Sequence, residues 1–363
     1  MKDIKFTTFY LSMMVLFFIG LAILLKPASD YSENENRTLK TLNKYNVSDI
    51  MEGVFQEDLA NFLCDQFPKR DAAMAVSACI KTMLGKRDMQ DTYIGENHYY
   101  FEKVTDDDIN VENYKRNLGR LNALCENRDA LSMTVMLVPS SGVILSDCLP
   151  AFASIYDADA LYDMAELMLE GTMINPSEAL RAAHARGEYI YYRTDHHWTT
   201  YGAYIGYTCL MEDGAYTDYN PTSVCDDFLG TLHSRVLLSD AKCDEVFIAT
   251  EDAAVSIDGQ SSTLYHMDAL GVKDKYQVFL GGNYGLVELE GQGNGTLLIL
   301  KDSFANCFVP YLLSDYERII MVDMRFYPAS VANLIDTENI TDVLVLYELN
   351  NFANDKNLAK LTM

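Results

Sequence analysis

Apolar positions along this chain fall into three regimes. Residues 6–25, FTTFYLSMMVLFFIGLAILL, carry no charge, and roughly 20 helical residues at about 1.5 Å each match a bilayer core. The run predicts a membrane anchor over residues 1–26. A cleaved signal peptide is the competing reading, but the run is long and no A-x-A site follows it. Lys2 and Lys5 precede it and most of the chain follows it, which favours a cytoplasmic N-terminus and an exported body. Residues 27–50 are polar, with ENENRTLKTLNKY lacking sustained periodicity, and read as a linker. Helical spacing then sets in at Phe55, Leu59, Phe62 and Leu63, breaks at Pro68 and resumes to Leu84. Two helices are expected there.

In the third regime, short β-rich runs occur at 132–138 (SMTVMLV), 189–192 (YIYY), 296–300 (TLLIL), 318–322 (RIIMV) and 342–347 (DVLVLY), with helical stretches at 159–169 and 177–185. Apolar runs bounded by turns and separated by helices predict an α/β fold whose parallel strands are buried on both faces. The pattern reads as one α/β domain over 51–363 with an insertion around 221–276. Polar residues follow each run: Pro139 to Ser141, Arg193 to His197, Lys301 to Ser303, Asp323 with Arg325, and Glu348 with Asn350. If the strands are parallel, these clusters line one crevice at their carboxyl ends.

Two of the clusters carry chemistry. TDHHWTTYGAY at 194–204 supplies an acid and a base, and ILKDSFAN supplies Ser303 about a hundred residues later. A serine hydroxyl becomes nucleophilic when an imidazole accepts its proton, and a carboxylate fixes the tautomer and stabilises the charged form. Asp195, His197 and Ser303 fit those roles, with Ser303 at a strand-to-helix elbow whose N–H groups would face a developing oxyanion. Each residue has a duller reading. A serine after a strand is usually a helix cap. Two adjacent histidines suggest a metal, yet no second ligand cluster completes a coordination shell, so no metal is expected. Trp198, the only tryptophan, is either a sugar platform or core packing. His98, His184, His233 and His266 have no motif around them and read as surface or structural.

Composition narrows the class. With 53 Asp and Glu against 28 Lys and Arg, the formal charge is −25, which repels phosphate backbones and makes nucleic acid an unsuitable partner. Eight cysteines without C-x-x-C spacing argue against zinc knuckles and redox motifs. An exported location permits disulfides, but a body with 49% hydrophobic residues does not need them. Neither a Walker loop nor a G-x-G-x-x-G turn is present, so no cofactor is expected.

The run TDHHWTTYGAY resembles the signature of the DHHW protein family, which is related to the alginate O-acetyltransferases of bacterial envelopes. Further matches are the triplet Glu35, Asn36, Arg37, FLCDQFPKRD at 62–71, YIGENHYYF at 93–101, VPSSG at 138–142, KDSFAN at 301–306 and DMRFY at 323–327. The resemblance implies an SGNH-hydrolase-like three-layer α/β sandwich in circularly permuted order, with Asp-x-His upstream of Ser. It places the motif on Asp195, His197 and Trp198 and the late serine on Ser303. It also implies substrate contacts at Trp198, Asn306, Arg325 and Tyr347, and oxyanion donors at Gly282 and Asn283. The expected function is a membrane-anchored, extracytoplasmic O-acyltransferase or acylesterase. Its partners would be a polysaccharide acceptor and an acyl donor, for which delivery by a polytopic membrane acyltransferase is one route. The alternatives are a non-catalytic glycan-binding or envelope assembly protein that keeps the fold, and a structural envelope component.

Overall fold

Buried runs and half-buried runs take different places in one eight-stranded sheet. The computed structural model describes residues 2–25, 29–32, 37–126, 128, 131–211, 219–249 and 252–362, and these form two units, 1–86 with 234–240 and 87–233 with 241–363. In the larger unit the sheet runs 260–263, 254–257, 286–290, 318–322, 296–301, 342–348, 132–138, 172–174. The five strands from 318–322 to 172–174 are parallel. The other three are antiparallel. The expectation of a purely parallel sheet is therefore corrected to a mixed one. The physical reason is legible in burial: Thr296–Lys301 is buried almost throughout, whereas Leu286–Glu290 alternates, as antiparallel strands with one wetter face do.

Side-chain alternation splits the strands between two cores. Met136, Ile299, Met321 and Leu346 join one cluster, while Val135, Leu300, Val322 and Val345 join the other. Helices Ser177–Ala185 and Thr200–Leu210 pack into the first. Helices Val111–Cys125, Ala158–Met168 and Val331–Thr337 pack into the second. Four of the expected strands form. The fifth, 189–192, does not: its only pairing is an isolated bridge between Tyr191 and Trp198, because this short run folds back on the DHHW segment instead of entering the sheet. Within the segment 221–276, the hairpin 254–263 extends the antiparallel side of the sheet.

The smaller unit contains helices Lys2–Leu25, Val54–Asp65 and Arg70–Met83. The last two are separated by Pro68 and by Lys69 in the left-handed region at φ 54°. Gln66 accepts from the Ser29 amide at 3.0 Å and donates to its carbonyl at 2.9 Å, so part of the polar stretch is pinned to this helix pair. Of the family-like triplet, Glu35 and Asn36 lie outside the described residues. The apolar N-terminal run is helical, with Phe6 to Phe18 largely exposed. Side chains at 21 and 23–25 lie outside the description, and among the described residues no helix is long and apolar enough to cross a membrane.

Candidate active site

The DHHW segment is a tight fold-back. Thr199 N donates to Ile190 O at 2.9 Å and Tyr192 N to His197 O at 3.2 Å, closing a loop around residues 193–196. Thr199 then caps helix Thr200–Leu210 through its hydroxyl, which accepts from Gly202 N at 3.1 Å. Glycine is required at 202 and 206: a Cβ would lie 2.2 Å from Ile190 O at the first and 2.9 Å from the Trp198 ring at the second. The opposite end of the loop is held by buried Asp244. Its carboxylate accepts from Tyr189 Oη, from the amides of Arg193 and Thr194 at 2.8 Å each, and from Thr194 Oγ1 at 2.5 Å.

That scaffold presents three residues in series. Asp195 Oδ1 accepts from His197 Nδ1 at 2.6 Å, and His197 Nε2 lies 2.7 Å from Ser303 Oγ. Asp195 is fully buried, and its second oxygen accepts from Thr231 N at 2.9 Å and Thr231 Oγ1 at 3.0 Å. Burial works to raise this carboxyl, but the two imidazoles and the Thr231 amide outweigh it and hold the group well below the usual carboxylate range. Burial lowers His197, aided by His196 and opposed by Asp195, to about 4. The imidazole is therefore neutral at pH 7, donating through Nδ1 and accepting from Ser303 at Nε2.

Ser303 follows strand Thr296–Lys301 and begins the short 3-10 turn Ser303–Cys307. Asp302 is the cap: its Oδ1 accepts from Phe304 N at 2.9 Å, and its Oδ2 accepts from Glu348 N and from Asn351 Nδ2, both at 2.9 Å. The caps thus tie the ends of neighbouring parallel strands together and leave the Ser303 hydroxyl to face His197. Lys301, fully buried, donates to Asn306 Oδ1 at 2.6 Å and to Asn283 Oδ1 at 3.1 Å. Burial lowers its ammonium to about 8, against the pull of Asp323. Asn306 Nδ2 donates to Gly282 O at 3.2 Å, which draws the loop around Gly282 and Asn283 to the Ser303 turn. Gly282 has φ 135°, a conformation that favours glycine.

Several expected substrate contacts are corrected. Trp198 has no exposed surface; its Nε1 donates to Phe304 O at 3.0 Å and its ring stacks on Phe308. It packs the core beneath the serine turn and cannot meet a sugar. Tyr347 is also buried, in the opposite cluster and edge-on to Phe352. Asn306 is 2% exposed with its amide committed, so it holds the loop. Arg325, by contrast, is exposed, with its guanidinium held by Asp323 and Nη2 lying 2.6 Å from Oδ2, which leaves the expectation for it standing. His196 lies beside His197, its ring tilted by 37° at a centroid distance of 3.9 Å, and reaches Thr231 Oγ1 at 3.0 Å. The donor atoms of Asp195, His196 and His197 lie within 4.8 Å of one another, but a metal there would compete with the contacts already made to Thr231 and Ser303.

Sequence reading passed over four supports: Asp244, Thr231, Gly230 and Tyr276. A Cβ on Gly230 would fall 2.3 Å from Asp195 Cβ, and the Gly-Thr pair opening helix Thr231–Val236 was the visible signal. Tyr276 lies inside the segment read as an insertion and has no motif around it.

The fold is that of a mixed α/β sandwich also seen in solved bacterial proteins. A DHHW family protein from Eubacterium siraeum aligns over 76% of this chain and 96% of its own, at 20% identity and a TM-score of 0.62. PatB1 of Bacillus cereus, solved with a sulfonyl adduct, aligns over 72% of this chain and 96% of its own, at 21% identity and a TM-score of 0.60. The O-acetyltransferase domain of AlgJ from Pseudomonas putida aligns over 74% of this chain and 94% of its own, at 12% identity and a TM-score of 0.47. The family model described as DHHW protein matches residues 161–243, and the resemblance expected from the motif is borne out there. No curated protein sequence matches the chain.

Proposed function

We propose that the chain is an extracytoplasmic O-acyltransferase or acylesterase of SGNH-like, circularly permuted fold that acts on an envelope polysaccharide or exopolysaccharide. The observation that carries this reading is the continuous series Asp195–His197–Ser303, with contacts of 2.6 and 2.7 Å and a neutral imidazole in the middle. Ser303 Oγ attacks the acyl carbonyl as its proton passes to His197 Nε2. The leaving oxygen takes that proton, and acyl-Ser303 remains. A sugar hydroxyl or water then gives its proton to His197, attacks the acyl carbon and frees Ser303. Gly282 N–H and Asn283 Nδ2, held beside the serine turn through Asn306, are the proposed oxyanion donors. The uncharged run at 6–25 anchors the body to the membrane in this reading, and a membrane protein supplies the acyl group.

Incubation with an activated acetyl ester, followed by rapid acid quench and peptide mass analysis, tests the scheme. Acetyl on the peptide containing Ser303 is expected, discharged faster when a polysaccharide hydroxyl is present if transfer dominates. Ester turnover unchanged by Ser303→Ala would sink it.

A further inference from the structure

A second chemically distinct cluster lies outside the serine site, where the 3-10 turn Ser146–Cys148 meets the last turn of helix Ser177–Ala185. Asp147, Cys148 and His184 each point one donor atom at the others, all within 4.8 Å. His184 Nε2 and Asp147 Oδ1 are 2.7 Å apart, and the Cys148 thiol is buried beside them. Asn97 Nδ2 donates to Cys148 Sγ at 3.7 Å. The Glu96 amide also donates to Cys148 O at 2.7 Å.

We propose that Asp147, Cys148 and His184 bind a divalent transition-metal ion of the zinc class, with solvent completing the shell. One sulfur, one imidazole and one carboxylate form the mixed donor set that such ions take, and tetrahedral zinc bonds of about 2.0–2.3 Å separate ligand atoms by roughly 3–4 Å. Asp147 is largely exposed, so its side chain has room to turn toward the ion. A divalent ion offsets the charge of the Asp147 carboxylate, and binding releases the thiol proton to solvent. The helix end favours a cation as well. The ion would tie the Cys148 turn to the helix. Because Cys148 O holds the Glu96 amide and Tyr100 N donates to Arg193 O at 2.7 Å, it would also brace the hairpin that abuts the DHHW loop.

The test uses the full chain, stripped with a chelator and titrated with Zn²⁺ and Co²⁺. One equivalent of Zn²⁺ is expected to raise the unfolding temperature, and Co²⁺ to produce a near-ultraviolet sulfur-to-cobalt band. Cys148→Ser should abolish the band, and His184→Asn should weaken Zn²⁺ binding by more than the roughly 10–100-fold typical of outer-shell changes. His184 is partly exposed, so the second variant remains informative if the first misfolds. His196→Ala should leave both signals intact, separating this cluster from the serine site. Zn²⁺ affinity unchanged in His184→Asn, or a cobalt band that persists in folded Cys148→Ser, would overturn the assignment.

Discussion

Tyr276 lies flat on His197, with ring centroids 3.7 Å apart and planes 7° apart, while its hydroxyl donates to Ser303 O at 3.0 Å. One side chain thus clamps the imidazole from above and the serine backbone from beside. Tyr276→Phe keeps the stack and loses the hydrogen bond, a net of about 1 kcal/mol, so a fall in kcat of about fivefold is expected. Tyr276→Ala frees the ring to rotate and should lower kcat at least tenfold further, with KM changing less. Steady-state kinetics on an acetyl ester separate the two.

Protonation of His197 removes the acceptor for the Ser303 proton. Because burial lowers this imidazole to about 4, acyl-enzyme formation should persist as pH falls through 6.5 and fail only near pH 4. The folded pKa is depressed, so the unfolded chain binds the proton first as pH drops. The stability contribution is present above 6.5 and is lost as pH falls through about 4. A profile of labelling rate against pH checks the first statement, and unfolding temperature against pH in wild type and His197→Gln checks the second.

Gly230→Ala places a methyl 2.3 Å from Asp195 Cβ and 2.5 Å from Oδ2. Overpacking against a buried group typically costs about 1–3 kcal/mol, and the displaced carboxylate should misalign His197. Lower stability measured by urea unfolding and a kcat loss larger than that of a neighbouring surface substitution are expected together.

Trp198→Ala tests the correction to the sugar-platform reading. Its ring fills the groove over Gly206 and bonds to Phe304 O, so a loss of about 3–5 kcal/mol is expected. Trp198→Phe should recover most of the stability and leave KM for a polysaccharide acceptor near the wild-type value. A large rise in KM with stability unchanged would restore the platform.

Continuous apolar runs were legible as buried strands because 132–138, 318–322 and 342–348 have no polar face to confuse the period. The antiparallel side was not, since VELE and QSST look like loop as readily as strand. YIYY misled because a tyrosine-rich run with three buried residues satisfies strand preference while pairing only with the next turn. Asp195, His197 and Ser303 could be picked out because the relay needs those residue types and the motifs flank them. Asp244 and Tyr276 could not, because their roles arise from contacts across 50 or 51 and 27 residues of chain. Trp198 was conspicuous by rarity, yet rarity says nothing about which way a ring faces.

The most direct measurement is labelling by a serine-directed phosphonate or sulfonyl fluoride, read by mass spectrometry of the peptide containing Ser303. One adduct per chain on Ser303 is expected, with His197→Ala slowing the reaction by about 10²–10⁴-fold and Asp195→Asn slowing it as well. A folded chain that takes no label at Ser303, or takes it equally fast without His197, would contradict the relay.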